Sequence, residues 1–215
     1  MTADEGSSTR SVKIPDDERG GWSSDRPRRG GRPERPADIS TRCRVLQPAD
    51  RLRYSPGSLV VVVSGSDEEA HHLAERVFEE RGAVLSTVKV RGLLAGKVPE
   101  EEIAEKADAL LAAAAAKRLQ AGDSTVVAGK LLSAAQRESL VRPAAELRRP
   151  RHVILVEASR EQTEDEDRPA LNELRTLLEA GELGAEGFQT ALRLGGGAAT
   201  ELKRIVFRPP PRDDD

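Results

Sequence analysis

Apolar positions along the chain come in short blocks separated by polar stretches with helical spacing. Leu59-Val60-Val61-Val62-Val63 is an unbroken apolar run between two serines, the pattern of a strand buried on both faces. The residues from about Asp67 to Arg81 predict a helix that Gly82 ends, and Ala83-Val84-Leu85-Ser86 predicts a short strand. Arg91-Gly92-Leu93-Leu94 opens a variable connection. Pro99 followed by Glu100, Glu101 and Glu102 predicts a helix start, because acids in the first turn complement the helix dipole. That helix runs through Ala112–Ala116 to Gln120, with Gly122 as its stop.

Ser124-Thr125-Val126-Val127 predicts the next strand, and the pair Ser133 and Gln136 forms a capping box opening a helix to about Leu147. His152-Val153-Ile154-Leu155-Val156 reads as another buried strand. Polar helices are expected at Arg168–Ala180 and Ala185–Leu194, a break at Gly195-Gly196-Gly197, and a last strand at Ile205-Val206-Phe207. Strands joined through helices pair in parallel. The expected fold is therefore α/β: a doubly wound, mostly parallel five-stranded sheet with helices on both faces.

Composition narrows this further. Apolar residues are 37% of the 215 and aromatic residues only 2%, so the core is built from Val, Leu, Ile and Ala. That excludes a ring-rich β-sandwich and a base-stacking platform. One cysteine, Cys43, excludes an internal disulfide and a Cys-cluster zinc site. No apolar run is long enough to span a membrane, and the polar N-terminus lacks a signal-peptide pattern, so the expectation is a cytoplasmic protein without membrane contact.

Charge is distributed unevenly. Residues 1–55 hold 12 basic and 9 acidic residues, with 13 apolar ones, whereas residues 56–215 hold 22 basic and 28 acidic. Three parts are expected: a disordered Arg/Gly/Pro-rich arm at 1–55, with ordering possible from Ile39 to Tyr54; an α/β domain at 56–208; and a Pro/Asp tail at 209–215.

Ligands of open parallel sheets gather at the carboxyl ends of the strands. At the first such end the chain reads Val63-Ser64-Gly65-Ser66-Asp67-Glu68-Glu69-Ala70-His71-His72. A nucleoside-triphosphate cradle there needs glycines, a lysine and a hydroxyl. This turn has one glycine, no lysine and three consecutive carboxylates, and Ser66 with Glu69 fits a capping box. The helix N-terminus is satisfied by the protein's own anions and repels polyphosphate.

From Ser58 to about Phe207 the chain resembles the small P-loop kinases of the polynucleotide-kinase-like group, the AAA-family ATPases or predicted kinases. The similarity is strongest in Ser58–Val63, Val84–Leu94, Arg118–Ser133 and Val153–Val156. Carried over by position, Ser64, Asp67 and Glu69 stand at family glycines, Ala70 at the Walker lysine and His71 at the magnesium-binding hydroxyl, with Gly65 the one glycine in this degenerate loop. In Ser86-Thr87-Val88-Lys89-Val90-Arg91 the family arginine is kept as Arg91, but the base is Val88. Val126-Val127-Ala128-Gly129-Lys130-Leu131 lacks the family acid. In the lid segment, which is mostly acidic, the arginines are Arg160 and Arg168. The resemblance thus implies the fold and argues against phosphoryl transfer, which depends on positioning and charge neutralisation.

Other features have plain readings. His71 and His72 sit near Glu68 and Glu75 as surface helix pairs rather than a metal site. His152 reads as structural, Cys43 as a linker thiol, and Gly195-Gly196-Gly197 as a connector. Glu161 to Asp167 reads as a solvated acidic loop without the spacing of a calcium loop. The expectation is a pseudokinase: a binding or structural module with no catalytic residues, no metal and no cofactor. Its acidic strand-end edge would prefer a protein partner with a basic surface. The second reading is an ATP- and Mg²⁺-dependent kinase acting on a nucleic-acid or small-molecule hydroxyl, with Arg91, Lys130, Arg160 and Arg168 as residual phosphate ligands and Lys89 or Lys130 near the vacant lysine position. The third is nucleic-acid binding through the arm, around Arg28-Arg29-Gly30-Gly31-Arg32.

Overall fold

A computed structural model describes residues 36–157, 163–195 and 197–209. The chain divides into residues 1–37 and residues 38–215, and every strand and helix named below belongs to the second unit. The strands are β1 (Arg44–Leu46), β2 (Arg51–Tyr54), β3 (Leu59–Val63), β4 (Val84–Ser86), β5 (Thr125–Gly129), β6 (Arg151–Val156), β7 (Thr190–Leu194) and β8 (Arg204–Phe207). The helices are α1 (Asp67–Val77), α2 (Thr87–Leu94), α3 (Glu100–Ala121), α4 (Ala134–Glu146), α5 (Arg168–Ala180) and α6 (Gly197–Glu201).

Six strands form one sheet in the order β1-β7-β6-β3-β5-β4, and every neighbouring pair is parallel. Helices flank it on both faces, as in a doubly wound, P-loop NTPase-like fold. The apolar run of β3 lies at its centre, hydrogen-bonded to β5 and β6, and all five of its residues are buried. Because successive side chains alternate, Val60 and Val62 face one layer while Leu59, Val61 and Val63 face the other. The first layer includes Ala70, Leu73, Ala74 and Val77 of α1, whose spacing makes one helical stripe. The second includes Leu111, Ala115 and Leu119 of α3, Leu140 and Val141 of α4, and Leu174 and Leu178 of α5.

Several local signals act as read. Helix α3 ends at Gly122, whose φ of 89° is left-handed and closes the last turn. Ser133 and Gln136 make both bonds of the capping box at α4. Helix α1 stops at Val77, short of Arg81, because Phe78 leaves helical geometry and bridges to Ile205.

The sheet count needs correction: the main sheet has six strands, not five. Ala185–Leu194 is not a helix, since a short 3-10 turn over Glu182–Gly184 and the left-handed Gly187 lead instead into strand β7. Pairing with β6 on one side and β1 on the other outweighs the helix preference of Ala, Leu and Arg there. Ile205–Phe207 does not join the main sheet. It belongs to β8, which pairs in parallel with β2 in a separate two-stranded sheet.

Within the expected arm at 1–55, the stretch from Ile39 to Tyr54, where the sequence allows ordering, carries strands. Residues 38–55 belong to the folded unit and supply β1 and β2, each of which finds its partner strand far along the chain. Residues 1–35 and 210–215, and with them most of the expected arm and tail, lie outside the described residues. Tyr54 is a core residue. It joins Phe78 and Phe207 in the layer over Val60 and Val62, and the two phenylalanine rings stack at 5.8 Å.

Candidate functional site

The loop after β3 lies where the chain changes direction across the sheet, since β4 and β5 lie to one side of β3 and β6 and β7 to the other. Such switch points hold the ligand crevice of doubly wound folds. Ser64 is buried, and its hydroxyl donates to Glu69 Oε2 and accepts from the Ser66 N–H at 3.4 Å. Ser66 caps α1 by accepting from the Glu69 N–H at 3.4 Å. The Glu69 side chain is thus turned to Ser64, so the capping box expected of Ser66 and Glu69 is only half made. Ala70 points into the core with no exposure, and His71 lies half-buried beside His72, their rings 5.5 Å apart. Burial, opposed by Glu75 and assisted by Lys89, holds the His71 imidazole below its usual pKa.

Asp67 is the centre of the arrangement. Its side chain is 8% exposed, so the acid is not part of an outward acidic surface as expected. One carboxylate oxygen accepts from the backbone N–H of Lys130 at 2.6 Å and the other from Arg91 Nη1 at 2.6 Å. Gly129 makes that approach possible: a Cβ there would collide with Thr87 Oγ1 and stand 3.0 Å from Asp67 Oδ1. Thr87 is buried at the start of α2 and donates to the Ala128 carbonyl at 3.4 Å. The residue after β5 and Arg91 of α2 therefore converge on one internal carboxylate at the start of α1.

The remaining cations are held by acids. Lys130 Nζ pairs with Glu164 at 2.6 Å and with Asp167. Burial works to lower the Lys130 ammonium, but the bonds from Asp167 and Glu164 outweigh it and leave the pKa raised. Lys89 pairs with Glu75 on the flank of α1. Arg168 pairs with Asp165 at 2.8 Å. Arg160 and Glu161 lie outside the described residues. Arg91, Lys130 and Arg168, expected as residual phosphate ligands, are thus each matched to a carboxylate. Among the described residues no group of three or more His, Cys, Asp or Glu side chains gathers as a metal site.

Beside this centre is a cleft of about 400 Å³ lined in part by Glu157, Thr163, Arg168, Asn172 and Arg175. Leu171 and Thr163 close over the β3 loop, where a Cβ on Gly65 would come within 2.8 Å of each. Glu157, the residue after β6, accepts from Arg175 Nε and Arg193 Nε, each at 2.8 Å. Sequence reasoning missed Glu157, Thr87 and the pairing of Asp167. The strand-end rule points to Glu157, since it directly follows the buried run of β6. Nothing in the local sequence marks Thr87, whose role depends on Gly129 being opposite.

No protein-family model and no curated protein matches this chain. No helix among the described residues is long and apolar enough to cross a membrane.

Proposed function

We propose that the domain is a catalytically degenerate P-loop-kinase-like module that works by binding a protein rather than by transferring phosphate. The observation that carries this reading is the Asp67 carboxylate, bonded to the Lys130 N–H and to Arg91 at the strand ends where a phosphate-binding relative would receive its ligand. An internal anion there satisfies the donors and repels a polyphosphate. Ala70, in the place of the Walker lysine, is in the core and brings no charge.

Glu68 and Glu166 are exposed at or beside this edge and, with Glu164 and Asp165, which are exposed but also paired to Lys130 and Arg168, form the surface offered to a basic protein partner. The test is thermal unfolding of the full chain with millimolar Mg-ATP and, separately, with a lysine-rich peptide. The reading expects no shift with Mg-ATP and a salt-sensitive rise with the peptide. A ligand at a hundred times its dissociation constant stabilises by about 2.7 kcal/mol, so a clear rise with Mg-ATP overturns the reading in favour of a nucleotide-binding kinase.

A further inference from the structure

The outward face of the β2–β8 sheet carries a second charged surface, of opposite sign. In its parallel register Arg51 lies beside Arg204 and Arg53 beside Val206. The alternation turns Tyr54, Ile205 and Phe207 into the core and leaves Arg51, Arg53 and Arg204 exposed, with Arg208 following in the same phase. Together with Val206 these arginines line a shallow groove of about 210 Å³.

Their neighbours neutralise them poorly. Arg51 is 3.9 Å from Asp50, and Arg204 and Arg208 share Glu79 at 3.9 and 3.6 Å. These distances are beyond a good hydrogen bond. Among the described residues, Arg53 donates only to the Pro209 carbonyl, at 3.5 Å. The side chains of Arg51, Arg204 and Arg208 are 72%, 48% and 56% exposed. By contrast, Arg91, Arg137 and Arg175 each hold a carboxylate at 2.8 Å or less. Among the described residues, four guanidinium groups on one small face thus stand against two carboxylates.

We infer that this face binds the phosphate backbone of a nucleic-acid duplex without reading its sequence. Guanidinium forks match phosphate oxygens in pairs, and all four charges on the face are arginine. Residues two apart on a strand are about 6.6 Å apart and adjacent strands about 4.8 Å, which makes a flat lattice of donors rather than a single pocket. The rings of Tyr54 and Phe207 are turned inward, so an unpaired strand finds nothing on which to stack its bases. No Asn or Gln stands among the groove residues to read base edges.

The test is fluorescence anisotropy of a labelled duplex of about 20 base pairs with the full chain, between about 50 and 200 mM salt. The inference expects binding that weakens with salt, with a slope of about −3.6 in log–log form, about 0.9 for each of four phosphates. Replacing Arg51, Arg53, Arg204 and Arg208 together by Gln is expected to abolish it, while replacing Arg28, Arg29 and Arg32 leaves it unchanged. Should the fourfold variant not fold, Arg51→Gln and Arg208→Gln singly are each expected to flatten the slope by about 0.9.

No binding at the lowest salt overturns the inference, as does binding that survives the fourfold change or is lost with the arm variant. Tighter binding of an aspartate-rich peptide or of a single strand overturns it as well. So does duplex binding that appears only when Asp213, Asp214 and Asp215 are replaced by Asn, which would make that run the natural occupant. None of these outcomes bears on whether Mg-ATP binds at the β3 loop.

Discussion

The backbone N–H of Lys130 donates to the Asp67 carboxylate at 2.6 Å, while the ammonium group of the same lysine is held by Glu164 and Asp167. One residue therefore has both of its donors committed to protein acids. The main-chain bond ties the end of β5 to the start of α1, and the side-chain pairs tie it to the turn before α5. The strand-end crevice is closed by the protein's own charges.

Asp67→Asn tests how much this closure contributes. The amide oxygen keeps one acceptor, but Arg91 loses its partner and the charge-assisted bond from Lys130 weakens. Removing one member of a mostly buried charged pair costs several kcal/mol, and the half-exposed Arg91 reduces that. A loss of about 1–3 kcal/mol is expected from urea unfolding, with no Mg-ATP stabilisation gained.

Gly129→Ala should destabilise by about 1–3 kcal/mol through the collision with Thr87. Thr87→Ala removes the colliding oxygen and should recover part of that loss. The double variant is then more stable than the two single effects added, and a double-mutant cycle by denaturation measures the difference. Simple additivity would show that the close approach of Thr87 and Gly129 is not what limits the site.

His152 gives the fold a pH dependence. The ring stacks on Tyr54 at 4.3 Å, and its Nδ1 is 2.8 Å from Thr190 Oγ1. Burial, with a smaller push from Arg151, lowers its pKa from 6.5 to about 4. Between those values the unfolded chain binds a proton that the folded chain does not. The contribution is full above pH 6.5 and falls away as the pH drops toward 4, by about 3 kcal/mol in all. Unfolding free energies at pH 7.5, 6 and 5 should show the fall, and His152→Gln should remove most of it, the remainder belonging to His71, whose pKa is lowered in the same direction. The carboxylates of Asp38 and Glu164, whose pKa values are lowered from 3.8 and 4.5, begin to lose their contribution only as the pH falls below about 5, at the acid end of the His152 fall.

Much of the architecture is legible in the sequence because it is carried by local patterns. The buried runs of β3 and β6, the acidic start and glycine stop of α3, and the capping box of α4 need no distant partner to be recognised. β7 is different. Thr190-Ala191-Leu192-Arg193-Leu194 is compatible with a helix until β6 and β1 pair with it. Arg51-Leu52-Arg53-Tyr54 reads as the end of a polar arm until β8 pairs with it and Leu52 and Tyr54 pack on the core. At the strand-end site, the single glycine and the want of a lysine in the turn are visible in the sequence, but the inward turn of Asp67 is not. It depends on Gly129, distant in the chain, leaving space beside Thr87.

The pairing of early strands with late ones bears on how the chain is made. A chain emerging from its amino end exposes β1 and β2 long before their partners exist. β1 waits for Thr190–Leu194, and β2 waits for Arg204–Phe207. During that interval Tyr54 and Phe78 lack the ring of Phe207 that helps cover them. Closure of this domain is therefore a late event in synthesis, and a nascent chain stalled before residue 204 presents an unpaired strand and uncovered aromatic surface to whatever chaperones attend it.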